Sequence, residues 1–527
     1  MEQAHAGRVL SSRTAATLLP MDFDAIVIGA GHNGLVAACA LAQAGSRVLV
    51  VEARDIVGGA CVTEEIAPGF RVSTAAYSFS LFRPEIFDAL ELAKYGLSFY
   101  PKEPRMFVPQ PGGRHFFVWR DAARTREEIG RINAHDADAY DRWNAFWDDV
   151  ADVIRPLILA EPPSLSALEK QMADQGRSEM FRLAIAGSAA DTVAEFFDSD
   201  EVQGAFVGQG VIGTFAGPHD AGTAFVMTYH AFGGELVDGA ATWAYVRGGM
   251  GAVTQALAAR ARDLGVEIRT RSPVTSIDVE DGIARGVTLQ DGTSLAASTV
   301  LSNADPKRTF LSFVPSGTLP DEFVARVRAL DTTGSVVKVN LALSELPDFT
   351  CLPGVGPQQA GTIELSPSVA ALDEAFSDAK EGRVSAHPYM EVYIQSVTDP
   401  SLAPEGKHVA SCFAQYAPGS VPMDQWETMR GSAGDAVIDQ LSSYAPNVKR
   451  AIVHRQVLGP ADLEARFGLT GGNIFHGEIL PGQIFGDRLG ARTPIKGLYL
   501  CGSGAHPGGG VCGAPGWNAA RAALEDR

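Results

Sequence analysis

Three side chains stand where they could do chemistry. Lys338 is an isolated cation in the run GSVVKVNLAL (334–343), which is apolar from Val336 to Leu343 apart from Lys338 and Asn340. A surface strand alternates polar and apolar residues, and a solvated lysine on its outer side means little. A lysine held in apolar surroundings loses proton affinity and becomes a candidate for catalysis. His506 is a titratable group inside the loop GSGAHPGGGVCG (502–513). There it either relays protons near neutral pH or hydrogen-bonds the main chain to shape the loop. Glu52 ends an apolar run roughly 20 residues beyond a glycine-rich turn, where an acid accepts hydrogen bonds from a ribose.

The elements that must position these groups are legible nearby. An apolar strand (Ile26 to Ile28) stops at Gly29, and Gly31 and Gly34 complete a G-x-G-x-x-G turn that opens a helical pattern. Gly29 permits the tight turn, Gly31 lets main chain approach a pyrophosphate, and Gly34 lets helix and strand pack closely. The helix N-terminus then offers free N–H groups and its positive dipole end to the phosphates. A second apolar run, Val48 to Val51, leads into Glu52, so strand, helix, strand and acid are in register for a dinucleotide. Arg54, Gly58 and Gly59 follow as R-x-x-x-G-G, an extension that nicotinamide-binding units usually lack. Near the other end, Leu498 to Leu500 reads as a buried strand delivering Gly502, Ser503 and Gly504, and Gly513 to Gly516 opens a final helix. Glycines there let main chain lie against a flat ring system.

The extension after Glu52 and the C-terminal run G-S-G-A-H-P-G-G-G-V-x-G-A-P-G-W-N resemble the FAD-binding start and the C-terminal flavin motif of the amine oxidase and phytoene desaturase class of flavoproteins. The resemblance is specific at both ends, and its broad layout covers about 21 to 527. It implies an α/β chain: a discontinuous Rossmann-like FAD-binding domain with an inserted mixed α+β substrate-binding cap. The expected cofactor domain comprises 21–78, 245–312 and 485–527, and the cap 79–244 and 313–484. The cofactor-binding residues implied are Gly29, Gly31, Gly34, Glu52, Ala53, Arg54, Gly58, Gly59, Val274, Gly502, Ser503, Gly513 and Ala514. The local cysteine pattern of covalently attached flavin is missing, so FAD is expected to be held noncovalently. The G-S-V-x-K pattern ending at Lys338 resembles the amine oxidase strand whose lysine holds a water against flavin N5. Lys338 and His506 are therefore the catalytic candidates. Amine oxidases usually flank the flavin with two aromatic residues; Trp517 lies near the final helix, and no second member can be assigned.

A second glycine turn, Gly248, Gly249 and Gly251, invites a nicotinamide reading. Its preceding strand is poor, and Arg269 and Arg271 stand where the acid belongs. The expected role is a helix N-terminus packed on the cofactor unit, which requires no strand context.

The bulk properties narrow the partners. The 527 residues carry a formal net charge of −19, which argues against a nucleic-acid partner. Six cysteines without a C-x-x-C suit a reducing compartment, the cytoplasm, and indicate no metal site. Cys61 and Cys512 read as buried thiols, with a flavin-adjacent role as the alternative. No apolar run is long enough for a membrane-spanning helix, and peripheral membrane contact and oligomeric state stay open. Residues 1–20 are expected to be a disordered extension or an upstream start. The favoured activity is hydride transfer between flavin and an apolar, isoprenoid or carotenoid-like substrate, of the desaturase or dehydrogenase type. Alternatives are an oxygen-dependent amine or alcohol oxidase, and a flavin-binding regulatory protein with little turnover.

Overall fold

A computed structural model of the chain describes residues 23–231, 235–237, 240–241 and 243–527, with 235–237 and 240–241 described by their backbone alone. The expected N-terminal extension, residues 1–20, lies outside the described residues. Ala25–Ile28 and Val48–Val51 are buried at every position. Such unbroken apolar runs suit parallel strands covered on both faces. They form the middle of a five-stranded parallel sheet in the order Glu267–Arg269, Val48–Val51, Ala25–Ile28, Thr299–Ser302, Leu498–Leu500. Strands from three distant stretches of chain thus share one sheet, the Rossmann-like arrangement. Helix His32–Gln43 packs against both Gly251–Asp263 and Ala514–Glu525.

Two local signals have clear structural outcomes. The Asp281-Gly282 pair joins strands Val274–Glu280 and Ile283–Leu289, with both residues at positive φ (49° and 74°), as a two-residue hairpin turn requires. The turn at Gly248–Gly251 does open a helix, but it faces protein. Gly251 N–H donates to Thr63 Oγ1 at 2.9 Å, and a Cβ at Gly251 would lie 2.5 Å from Thr63 N. Arg269 and Arg271 are engaged by Glu267 (2.6 Å) and Asp55 (3.4 Å).

The inserted segments build a seven-stranded sheet in the order Ile452–Leu458, Val336–Leu343, His408–Gln415, Tyr389–Tyr393, Thr362–Leu365, Met106–Pro109, His115–Val118. Val336–Leu343 is buried along its whole length, which explains why it does not alternate. Helices cover this cap. The longest among the described residues, Ala134–Ile158, begins where Asn133 caps it by accepting from His135 N at 2.9 Å. Its Trp143 packs with Phe196, Phe197 and Phe206, its Phe146 with Phe196, and its Trp147 against Trp143 and Phe146.

Candidate flavin site and active cavity

The glycine turn after Ala25–Ile28 is held by contacts that leave no room for side chains. A Cβ at Gly34 would lie 2.2 Å from the carbonyl oxygen of Gly29, which itself sits at φ +92°. A Cβ at Gly31 would lie 2.7 Å from Asn303 Nδ2. The Gly58-Gly59 segment closes over the same turn: Gly58 N donates to Ala30 O at 2.9 Å, and Gly31 and Gly58 form a bridge. A strip of bare main chain results, suited to a phosphate.

Glu52 is buried beside it. One carboxylate oxygen accepts from Ala30 N and the other from Arg54 N, both at 2.8 Å. A carboxylate has about four acceptor sites, so two remain for the hydroxyls of a ribose. Ala53 is exposed next to it. The chain leading into Val274 is tied to this corner, because Ser272 N donates to Glu52 O (2.8 Å) and Arg271 N to Arg54 O (2.9 Å). Arg54 Nη2 bonds Glu64 at 2.7 Å, while its Nη1 is buried without a partner.

The C-terminal motif meets the first turn directly. Asn33, buried, donates to Ser503 Oγ at 3.1 Å. A Cβ at Gly502 would lie 2.6 Å from Asn303 O, and one at Gly516 only 2.0 Å from Asn33 O. Gly513, at φ +76°, caps the final helix, whose first residue is Ala514. Asn303 therefore stands where all three chain segments cross, and no sequence motif marked it. The bare glycine strip, the ribose-ready Glu52 and the orphaned guanidinium nitrogen of Arg54 together fit a dinucleotide. Replacing Arg54 by methionine is expected to weaken FAD binding about 10- to 100-fold, the worth of one charge-assisted hydrogen bond. Titration of stripped protein with FAD checks this; unchanged affinity would confine Arg54 to its Glu64 contact.

Beyond Ser503 opens a cavity that Lys338 also lines. Lys338 and Asn340 are two residues apart on a strand and share a face, which the structure turns toward the chain at 74–77. Lys338 Nζ donates to Ser411 Oγ and lies 4.5 Å from the centre of the Tyr77 ring. Ser411 donates to Asn340 Oδ1 (2.8 Å), and Asn340 donates to Thr74 O (3.0 Å). Burial lowers the Lys338 pKa to about 7, so the amine exchanges its proton near neutrality. Tyr77 and Phe413, with ring centres 4.9 Å apart, form an aromatic wall here.

His32 and His476 also line this cavity, and burial lowers both to about 4. His32 Nε2 and His476 Nδ1 are buried without partners. Cys61 lines the cavity too, but its thiol donates to Met250 O at 3.2 Å and burial pushes its pKa far up. Cys512 is buried, with its thiol pushed up to about 11. Tyr77, Phe413 and His476 come from three distant segments without local motifs, which hides them in a sequence.

The structure does not bring His506 into this lining. Its Nε2 bonds Leu157 O at 2.8 Å, tying the glycine loop to helix Ala134–Ile158. Burial lowers its pKa to about 4, so the ring is neutral at physiological pH. Trp517 packs on the core of the cofactor domain.

A parallel sheet assembled from separate segments, a glycine cradle and a capped cavity define a flavin-dependent oxidoreductase. The flavin containing amine oxidoreductase family model matches residues 34–524, and the chain belongs to that family. It is 39% identical over 549 residues to pyridine nucleotide-disulfide oxidoreductase domain-containing protein 2 of Mus musculus, covering 96% of this chain and 94% of that one. The phytoene desaturase (lycopene-forming) of Pseudescherichia vulneris is 26% identical over 510 residues, covering 93% and 96%. Wild-type putrescine oxidase bound to putrescine shares the fold, with a TM-score of 0.60 at 18% identity over 95% of this chain and 98% of that one. FAD is thus the cofactor, and no helix among the described residues is long and apolar enough to cross a membrane.

Proposed function

We propose that the protein transfers hydride between noncovalently held FAD and an uncharged, apolar substrate, in a desaturase or dehydrogenase reaction. The observation that carries this is the cavity wall. Ile212, Leu463, Leu469, Ile474 and Phe475 surround the space beside Lys338 and Ser503, and among the described residues no carboxylate lines it. An ammonium group entering there would lose its hydration without gaining a counter-charge, a cost of several kcal/mol. An apolar molecule gains about 25 cal/mol for every Å² it buries. The similarity to a phytoene desaturase supports an isoprenoid among such molecules.

The bound FAD supplies the hydride acceptor or donor. The chain supplies the rest. Apolar side chains exclude water, the glycine loops fix the ring, and the final helix presents its positive end toward the cofactor. Lys338 holds a water or a proton at Nζ, poised by its lowered proton affinity. His506 braces the loop.

A second reading, oxidation of an amine or alcohol by oxygen, is favoured by one feature: Lys338 faces the Tyr77–Phe413 aromatic wall. Anaerobic mixing separates the two. Acyclic isoprenoids are expected to bleach the flavin absorbance, whereas small amines leave it yellow. Bleaching by amines alone, with peroxide released when air is admitted, would overturn the first reading in favour of the second.

A further inference from the structure

A second cavity lies in the cap beyond a partition of side chains. His230 and Trp243, with ring centres 5.7 Å apart, border both this cavity and the one beside Lys338. The buried Lys102 braces them. Its Nζ donates to Ser78 Oγ on the first cavity's wall (3.3 Å) and to Thr362 Oγ1 on the second's (3.0 Å).

The second cavity measures about 200 Å³. An apolar cavity of about 150 Å³ holds a benzene molecule, so this one has room for a ring with a short side chain. One wall is a stripe of helix Ala134–Ile158, where the spacing of Tyr140, Trp143, Asn144 and Trp147 puts all four on one face. Phe206 extends the aromatic part of the wall. Arg105, the residue before strand Met106–Pro109, brings a charge to it. It is half-buried, and among the described residues its guanidinium has no hydrogen-bond or ion-pair partner. Asn144 hydrogen-bonds the Tyr140 hydroxyl, on which the Arg105 charge also acts. Guanidinium, amide and phenol thus make one polar corner in an otherwise aromatic space, the composition of a small-molecule site.

The other titratable groups on the wall leave that charge uncompensated. His230 Nδ1 is hydrogen-bonded to Gln209 O at 3.1 Å, and burial lowers its pKa to about 4, so the ring is neutral. Glu391 also lines the cavity, but its oxygens already accept from Tyr77 (3.1 Å), Tyr393 (2.7 Å) and Gln209 (2.9 Å). A cation would be repelled by Arg105, and a wholly apolar molecule would strip water from it without return. A carboxylate matches the planar donor fork with two parallel hydrogen bonds.

We propose that the second cavity binds a small aromatic monocarboxylate, with its ring among Trp143, Trp147 and Phe206 and its carboxylate on Arg105. The partition holds this ligand away from Lys338, so it is not the molecule that the flavin oxidises or reduces, and the site stands with either reading of the substrate.

The probe is hydrocinnamate, with hydrocinnamyl alcohol as its uncharged counterpart. FAD-loaded protein is titrated with each while tryptophan fluorescence, to which Trp143, Trp147 and Trp243 on the wall respond, and flavin absorbance are recorded together. The acid is expected to bind about 10- to 100-fold more tightly than the alcohol, the worth of a charge-assisted hydrogen bond. Arg105→Met should abolish that preference and leave the alcohol within about twofold. Trp147→Ala should weaken acid and alcohol together by about 3- to 10-fold, which places both in this cavity and serves if the first variant does not fold. An acid no tighter than the alcohol, a preference that survives in Arg105→Met, or affinities that Trp147→Ala leaves unchanged would overturn the proposal. So would a flavin absorbance shift that the acid produces in wild type and Arg105→Met alike, because that places the acid beside Lys338 instead.

Discussion

Gly34→Ala protein is expected to purify without its flavin. The added Cβ would lie 2.2 Å from Gly29 O and 3.3 Å from Asn303 Cβ. The first of these is main chain, fixed by Gly29 N donating to Val51 O at 2.7 Å, so it cannot swing away as a side-chain end would. Helix and strand must separate, and overpacking of this kind costs about 1–3 kcal/mol or more. The larger effect falls on the cofactor. The turn that cradles the phosphates moves with the helix, and each main-chain N–H bond to a charged phosphate lost in this way costs about 1.5–3 kcal/mol. The ratio of flavin to protein absorbance reads the result. Gly431→Ala is the matched control: it lies inside helix Met423–Tyr444, nothing lies within 4 Å of its added Cβ, and its φ is not positive. It should keep the flavin and gain about 0.5–1 kcal/mol in stability. A yellow Gly34→Ala protein with normal FAD affinity would remove the cradle from the account.

Lys338→Met is expected to keep FAD and lose turnover. Methionine replaces the buried stem without the amine, so the cavity keeps its shape while Ser411 loses its donor. A positioned proton-transferring group contributes about 10² to 10⁴ in rate, and a loss of at least about 100-fold is expected. The wild-type pH–rate profile should bend near the lowered pKa of about 7, and that bend should vanish in the variant. Folding stability carries the same signature. As pH falls, the unfolded chain protonates this lysine near its ordinary 10.5, whereas the folded chain does so near 7. Between those values the unfolded state binds more protons, so Lys338 makes stability rise with pH across that window. Its contribution to the slope approaches about 1.4 kcal/mol per pH unit. Denaturant midpoints for wild type and variant at several pH values isolate that slope by difference. An unaltered rate profile and identical slopes would mean that Lys338 is neither poised nor catalytic.

Lys338 and Asn340 show what a sequence carries well. A strand otherwise apolar on both sides announces burial, and two polar residues two positions apart announce one shared polar face. The structure supplies what they point at: Ser411 from the neighbouring strand and Thr74 just after strand Phe70–Ser73. The glycine turn was equally legible, because its physics is local: turn, helix N-terminus and acid follow within a few dozen residues. Asn303 was not, since its place depends on three chain segments crossing. Tyr77, Phe413 and His476 were hidden for the same reason: each is unremarkable among its sequence neighbours and meets the others only through the cap sheet and loops. His506 illustrates the opposite limit. Sequence chemistry marked a histidine in a glycine loop, but only the fold shows its Nε2 held by Leu157 O.

The most direct measurement compares amide hydrogen exchange in FAD-loaded and FAD-stripped protein. FAD is expected to slow exchange together at the Gly29–Gly34 turn, around Glu52 and Val274, and from Gly502 to Ala514. Protection confined to one of these segments, or absent from all of them, would contradict a single cofactor held where the three stretches of chain converge.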